Sequence, residues 1–183
     1  MTEIESRCLD AFPEWLKTLA DDALALSALL QDKTLGEPVR RQIAGALNYL
    51  FKSLDLIPDG IEDLGFIDDA FVLRLAAFFA CELDPGAPAA DASGALGRLA
   101  GQAELVSDLL GDDYARLERY VRTLGHAAAR GRSVDEILNN DSVCLALVSD
   151  VKGWAKGYVA PTFGRDEKNL VKLKSFLVAK LPG

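Results

Sequence analysis

Apolar residues recur at steps of three and four positions along most of this chain, which places them on one face of an α-helix. Near the start, Trp15, Leu19, Leu26 and Leu30 show the pattern. We predict helices over residues 13–31, 37–51, 68–83, 95–110, 112–130, 133–154 and 166–181, with the sixth open to a break near Gly153. Valine-rich pieces such as 143–151 also follow helical steps, so no strand is predicted. The predicted fold class is an all-α bundle of six or seven helices.

The pattern is interrupted most clearly at residues 84–93, where two prolines, a glycine and small residues leave no periodic apolar face. Such a composition is typical of a linker. We therefore predict a helical module at 1–83 and a C-terminal helical subdomain at 94–183 that packs on it or beside it.

The most distinctive segment lies between the second and third predicted helices. Residues 55–69 contain six carboxylates together with Pro58 and Gly65, and no lysine or arginine lies between Lys52 and Arg74. We predict that this segment is an acidic turn at the centre of a helix–turn–helix hairpin.

One interpretation of the turn is structural. Asp55 and Asp68 would cap helix ends, because a carboxylate accepts hydrogen bonds from unpaired amides there. Pro58 would hold Ile57 extended, and Gly65 would provide a left-handed backbone conformation. The apolar residues of the turn would then fold inward and lock the two helices together.

A second interpretation is a metal site. Converging carboxylates raise one another's pKa and are relieved by a hard cation such as Ca²⁺ or Mg²⁺. The candidate ligands are Asp55, Asp59, Asp68 and Asp69. Their spacing is not that of an EF-hand loop. Pairing with Lys52 or Arg74 would relieve the same charges without a metal.

The turn also carries a family resemblance. The matching residues are Asp55, Leu56, Ile57, Pro58, Asp59, Gly65, Phe66, Ile67, Asp68 and Asp69. In these residues and their spacing, the chain resembles the YkvA-like group, also called the DUF1232 domain, of bacteria and eukaryotes. The resemblance implies a helical module, with the motif structural, and it supplies no catalytic residues. Gly60 stands where the family often has a bulky apolar residue, so the turn is more polar here and membrane contact is less favoured.

Charge and composition argue against several classes of function. Residues 1–83 hold 15 Asp and Glu against 7 Lys and Arg, whereas the rest of the chain holds 13 of each. An acidic surface repels nucleic-acid phosphates, so no nucleic-acid partner is expected. No apolar run reaches the length of a membrane span, and the first residues lack the features of a secretory signal. The three cysteines are widely separated and predict buried thiols in a cytoplasmic protein.

Catalytic constellations are not indicated. His126 is the one histidine, so nucleophilic chemistry of the Ser–His or Cys–His type would depend on it alone. No phosphate-binding glycine loop is present. The predicted function is a non-enzymatic interaction or scaffold module with a protein partner. The alternatives are a divalent-metal sensor or enzyme that uses the acidic turn, and a peripheral membrane protein that uses the turn or the lysine-bearing last helix.

Overall fold

The computed structural model describes residues 1–61 and 63–183. Its helices are α1 (Glu3–Leu30), α2 (Glu37–Tyr49), α3 (Ile67–Leu83), α4 (Ala87–Ala90), α5 (Ala95–Leu110), α6 (Tyr114–Leu124), α7 (Val134–Asn139), α8 (Asp141–Gly157) and α9 (Glu167–Lys180). A short antiparallel hairpin joins β1 (Ala128–Ala129) to β2 (Arg132–Ser133). The protein is 71% helical, which confirms the all-α prediction.

Helix α3 forms the centre of the bundle. Its apolar residues are distributed around the whole helix, and Phe71, Leu75 and Phe79 are all fully buried. It packs against α2 on one side and against α5 on another. A helix that is apolar all round is stable only when neighbouring helices cover every face. The α2–turn–α3 hairpin is therefore the core around which the other helices assemble.

Helix α1 begins ten residues before the predicted start at Pro13. Thr2 accepts a hydrogen bond from the Glu5 amide, and the Glu5 carboxylate accepts one from the Thr2 amide, which is a capping box. Pro13 lies inside the helix. The prediction was wrong because it took the proline as a helix start and overlooked the earlier cap.

Residues 125–140 also differ from the prediction. The helix expected to reach residue 130 ends at Leu124, and a hairpin follows, in which Arg130 and Gly131 have φ angles of 52° and 76°. Two successive positive φ angles suit a tight turn between twisted strands. The next helix is interrupted at Asn140, whose side chain caps α8, and not at Gly153. The boundary between α7 and α8 is therefore set by the Asn140 cap, and the apolar periodicity of the sequence did not indicate it.

The segment 84–93 contains the short helix α4 and a loop closed by Asp91. The Asp91 carboxylate accepts hydrogen bonds from the amides of Ser93 and Leu96, and Ala87 is buried. One continuous set of buried apolar residues includes members from both sides of this segment. The proposed division at 84–93 into two units stays a prediction.

Residues considered for redox or catalytic chemistry occupy ordinary positions. All three cysteines are free thiols, and burial raises the pKa of Cys8 to about 11. His126 is exposed just after α6. A protonated buried thiol is a poor nucleophile, which is consistent with a structural role for Cys8.

Candidate functional site in the acidic turn

The acidic turn, residues 50–66, connects α2 to α3. Glu62, one of the six carboxylates of residues 55–69, lies outside the described residues. A Cβ atom at Gly65 would lie 2.2 Å from the Asp59 carbonyl oxygen, so only glycine fits where these two parts of the turn meet. The left-handed conformation predicted for Gly65 is instead found at Asp63 and Phe66, with φ of 69° and 67°. Gly65 is required for close approach and not for a positive φ.

Asp68 is not the N-cap of α3, as predicted, because the helix begins one residue earlier with Phe66 at the cap position. Its Oδ2 atom accepts hydrogen bonds from the Tyr49 hydroxyl at 2.5 Å and from the Ile57 amide at 3.1 Å. The Tyr49 oxygen in turn accepts a hydrogen bond from the Leu56 amide at 2.9 Å. Asp68 therefore ties the turn to the end of α2.

Tyr49 is the residue of this network that sequence reasoning missed. It lies in the last turn of α2 among apolar residues and is 2% exposed. A buried tyrosine hydroxyl needs a hydrogen-bond partner. From this requirement the sequence could have predicted that Tyr49 takes part in a hydrogen bond. It does not show that the partner is Asp68.

The four candidate metal ligands differ in exposure. Asp68 and Asp69 are buried, with 0% and 3% of their surface exposed, whereas Asp55 is half-buried and Asp59 is exposed. Within residues 1–61 and 63–183, the Oδ1 atoms of Asp55 and Asp68 are buried and have no hydrogen-bond partner. Buried polar atoms without partners are uncommon and costly. The carboxylate cluster thus contains two buried acceptor atoms that no hydrogen-bond donor in the described residues reaches.

Neither of the expected cations pairs with these carboxylates. The Lys52 ammonium donates to the Tyr120 hydroxyl at 2.8 Å, and Arg74 lies 3.6 Å from Asp22. Lys52 acts on Asp55 only through its more distant charge. Across the described part of the chain, no salt bridge reaches the four carboxylates.

Burial, together with the charges of neighbouring carboxylates, raises the pKa values of the cluster. Burial, followed by the charges of Asp68 and Asp59, raises the pKa of Asp55 to about 7. Burial also raises the pKa of Asp68 to about 6, although its hydrogen bonds from Tyr49 and Ile57 oppose the rise. The pKa of Asp69 lies well above its ordinary value because of burial and the neighbouring carboxylates. The cluster therefore retains protons near neutral pH.

Ligand geometry was the requirement for a metal site in this cluster. Within residues 1–61 and 63–183, no three Asp, Glu, His or Cys side chains converge on a point that could hold a metal ion. Ca²⁺ and Mg²⁺ need several oxygen ligands around one point. Binding of either ion by Asp55, Asp59, Asp68 and Asp69 stays a prediction.

The apolar side of the turn is folded into the protein. Leu56, Ile57, Leu64 and Ile67 are buried, as the structural interpretation predicted. Phe66 packs edge-on against Tyr158, with 5.2 Å between ring centroids, and also contacts Trp154 of α8. The turn is therefore held between α2 and the end of α8.

Two adjoining hollows lie beside the turn. A groove of about 520 Å³ is lined by residues of the turn, by Arg130 of the hairpin and by residues of α8 that include Asp150 and Trp154. A recess of about 430 Å³ is lined by residues 51–54 and 128–131. Phe51, Lys52 and Arg130 border both hollows.

The fold and this site define an all-α bundle built around a helix–acidic turn–helix hairpin. Residues 39–75, which span α2 from its first turn, the acidic turn and the first half of α3, match the family model described as "Protein of unknown function (DUF1232)". This confirms the DUF1232 assignment for about a fifth of the chain. Comparisons with curated proteins and with solved structures gave no significant match.

Within the described ranges, no helix is both long enough and apolar enough to cross a membrane.

Proposed function

We propose that this protein is a non-enzymatic interaction module that binds a protein segment in the recess and groove beside the acidic turn. The ligand class is a peptide segment in which an apolar side chain stands next to an acidic one. The observation that carries the proposal is the recess itself, which combines an apolar lining with two cations on an otherwise acidic protein.

The recess offers apolar contact. Leu54 is 80% exposed at its edge, and Phe51, Ala128 and Ala129 form its wall. A large exposed leucine beside a concave apolar surface is a common feature of binding sites for partner side chains. The other large apolar residues of the turn are buried or half-buried, which leaves Leu54 as the most exposed apolar side chain that the turn offers to a partner.

The recess also offers positive charge. Lys52 and Arg130 line it, and its lining residues include no carboxylate. Asp150 lies 3.5 Å from Arg130, but it lies closer to Arg132, at 2.8 Å. Because Asp150 is shared between two arginines, a positive charge is left over. The Arg130 side chain is 60% exposed and lies over the Phe51 ring, where it is able to receive a carboxylate.

Selection from a phage-displayed library of random dodecapeptides tests this proposal. The wild-type protein should enrich peptides that pair an acidic residue with an apolar one. The variant Leu54→Asp/Arg130→Glu should lose at least tenfold in affinity for the synthetic forms of these peptides, because it removes the apolar contact and reverses the charge. Val171→Asp/Lys172→Glu likewise replaces an apolar residue by Asp and a cation by Glu, at exposed positions on α9, and should bind normally.

Two outcomes would overturn the proposal. One is that the wild type enriches no peptide family relative to Leu54→Asp/Arg130→Glu. The other is flotation of the wild type with vesicles that contain anionic lipid, lost in the same variant, without peptide binding. The second outcome would replace a protein partner by a membrane surface, and salt should then weaken the contact.

A further inference from the structure

A separate groove of about 520 Å³ lies between α3, α5 and α6, and we call it the α5 groove. Phe78 of α3, which is 36% exposed, lines it together with Ala100 and Ala103 of α5. An exposed aromatic ring beside small apolar residues in a concave surface is typical of a contact site for another protein. None of the residues that line it belongs to the acidic turn, so this surface is distinct from the recess.

The α5 groove is negatively charged. Glu82 and Glu118 line it and share the guanidinium of Arg122, at 3.1 and 3.4 Å, so one cation serves two carboxylates. Glu104 also lines it, is exposed, and forms no salt bridge in the part of the chain that the structure describes. Burial and the charges of Glu118 and Glu82 raise the pKa of Tyr114 in the same groove. A partner with positive charge is therefore favoured.

Gly101 leaves space for the backbone of a partner. It lies on α5, is exposed and lines the groove. A Cβ atom at this position would meet no atom of the described residues within 4 Å, so the packing of one chain does not require glycine here. Glycine inside an exposed helix costs about 1 kcal/mol relative to alanine. Its missing side chain permits a close approach of another backbone, which favours a helix as the occupant.

Helix α9 presents a surface with the complementary chemistry. Val171 and Val178 are 63% and 43% exposed and lie seven residues apart, which places them on one face of the helix. At 3.6 residues per turn, Lys168 and Lys172 lie on one side of this pair and Lys174 lies on the other. Among residues 1–61 and 63–183, none of these three lysines has a salt-bridge partner. Helix α9 thus carries an apolar stripe with positive charge on both sides.

The two surfaces agree in length and lie close to each other on the protein. At about 1.5 Å per residue, the two valines span about 10.5 Å, and so do Ala100 and Ser107 at the ends of the groove on α5. Helix α6, which lines the groove, also holds the end of α9, because Arg116 donates to the carbonyls of Val178 and Leu181. Two neighbouring surfaces of this kind suit a mutual exchange between two copies around a two-fold axis.

We propose that the protein forms a two-fold dimer in which α9 of each copy docks in the α5 groove of the other. The two valines contact the apolar floor, the lysines of α9 meet the carboxylates of the groove, and Gly101 permits close contact of α9 with α5. The residues of this contact do not line the recess or the groove beside the acidic turn. The dimer therefore does not rest on the proposed function.

The mass of the full chain in solution tests the dimer. At about 100 μM, a contact with a dissociation constant of about 1 to 10 μM is mostly formed. Light scattering after size exclusion should then give twice the 19.7 kDa of one chain. Salt at about 1 M should weaken the pair, because it screens the lysine–carboxylate contacts. A monomer at this concentration would overturn the proposal, and so would assemblies larger than a dimer.

Variants on each surface locate the contact. Gly101→Arg fills the groove and adds a positive charge, and Val171→Asp/Lys172→Glu removes apolar and basic contacts of α9. Each should raise the dissociation constant of the dimer by about tenfold or more. All three positions are exposed, so the chains should stay folded, which circular dichroism checks. Gly153→Arg makes the same change at another exposed helical glycine and should dimerise normally. An unchanged dimer in either surface variant would overturn the proposal.

Zero-length cross-linking identifies the occupant of the groove. In a mixture of ¹⁴N- and ¹⁵N-labelled chains, carbodiimide should join Glu104 of one label to lysines of α9 of the other label. Links between different labels that are confined to other surfaces would overturn the proposal. A monomeric protein with selected peptides whose binding Gly101→Arg abolishes would assign the α5 groove to another protein and would also overturn it.

The two proposals of this article fail separately. Leu54→Asp/Arg130→Glu should lose the peptides selected for the recess and still dimerise. Gly101→Arg should lose the dimer and still bind those peptides. Loss of the dimer in Leu54→Asp/Arg130→Glu would place the contact at the recess and would overturn the α5 groove as its site.

Discussion

Helix α3 carries buried charge in two places that are stabilised in opposite ways. In its middle, Arg74 is 0% exposed and faces Asp22, which is 1% exposed. At its start, Asp68 and Asp69 are buried with no lysine or arginine in contact within the described ranges. The first region compensates a buried charge with an opposite charge, and the second with hydrogen bonds and protons.

The compensation around Arg74 is extensive. Its guanidinium donates to Gln102 and to the Ala70 carbonyl, and it lies 4.1 Å from the centre of the Trp15 ring. Asp22 also accepts a hydrogen bond from Arg98. Burial lowers the pKa of Arg74 to about 9, while the charge of Asp22 opposes this effect. Arg74 therefore stays charged at neutral pH, and this region should not respond to physiological changes of pH.

Removal of Asp22 is expected to give the largest effect. In Asp22→Ala, Arg74 remains buried without its counter-charge, which costs about 3 to 5 kcal/mol in the free energy of unfolding. Urea denaturation measures this cost. The control is Asp10→Ala, which breaks an exposed ion pair with Arg165 and should cost far less, because solvent screens an exposed pair. A loss in Asp22→Ala as small as that of the control would contradict the comparison.

Removal of the Tyr49 hydroxyl tests whether the acidic turn depends on hydrogen bonds. Tyr49→Phe removes one of the two donors to Asp68 and leaves the Leu56 amide without an acceptor, so we expect a loss of about 2 kcal/mol in the free energy of unfolding. Tyr120→Phe is the matched control, because the hydroxyl of Tyr120 is bonded to Lys52 in a partly buried site. Equal effects of the two substitutions would show that the Asp68 network has no special role.

Neutralisation of Asp55 tests whether the turn depends on protons. Between pH 4 and 7, folded Asp55 binds a proton that the unfolded chain has released, so its contribution makes the protein less stable as the pH rises. The full shift would be about 4 kcal/mol, but Asp55 is only half-buried and solvent screening reduces this to about 1 to 2 kcal/mol. Asp55→Asn should therefore stabilise the protein by this amount at pH 8, relative to its effect at pH 4.

Urea denaturation of Asp55→Asn at the two pH values gives this difference. Asp10→Asn is the control of opposite sign, because a hydrogen bond from Arg165 lowers the pKa of Asp10. Stability contributed by a lowered pKa is present at pH 8 and is lost on acidification. A pH dependence of the same sign in both variants would contradict the assignment.

The smallest effect is expected at Leu54. Because this side chain is 80% exposed, Leu54→Asp should change the free energy of unfolding by no more than about 0.5 kcal/mol. Leu56, two residues away, is 4% exposed, and Leu56→Asp should lower the melting temperature far more because it buries a charge. Thermal melting of both variants makes the test. A large loss at Leu54 would mean that its side chain supports the fold and is not free for a partner.

Much of the helical framework could be predicted from the sequence. Residues 95–110 were predicted as a helix with the bounds that α5 has, and Asp166 caps α9 near the expected start. Apolar periodicity is a local property of the sequence. It predicts the bounds of a helix correctly where a capping residue or a glycine marks the end of that helix. The N-terminal extension of α1, the hairpin at 128–133 and the break at Asn140 were missed because single capping or turn residues decided them.

The candidate site was predicted only as a set of residues. The sequence placed Asp55, Asp59, Asp68 and Asp69 in one turn, but it favoured Asp68 as a cap and offered Lys52 or Arg74 as partners. Asp68 instead bonds to Tyr49, 19 positions earlier, and Arg74 turns away to Asp22. Such pairings depend on how helices face one another, and one-dimensional spacing does not contain that information.

By itself, then, the sequence determined the all-α class, the helix–acidic turn–helix hairpin and the family of that segment, because each is encoded by neighbouring residues. The tertiary structure alone decided which charges are neutralised and which are left unpaired. It also formed the recess, whose lining comes from residues 51–54 and 128–131. Burial and counter-charge are set by residues distant in the chain, and they determine whether a carboxylate binds a cation, a proton or a neighbouring hydroxyl.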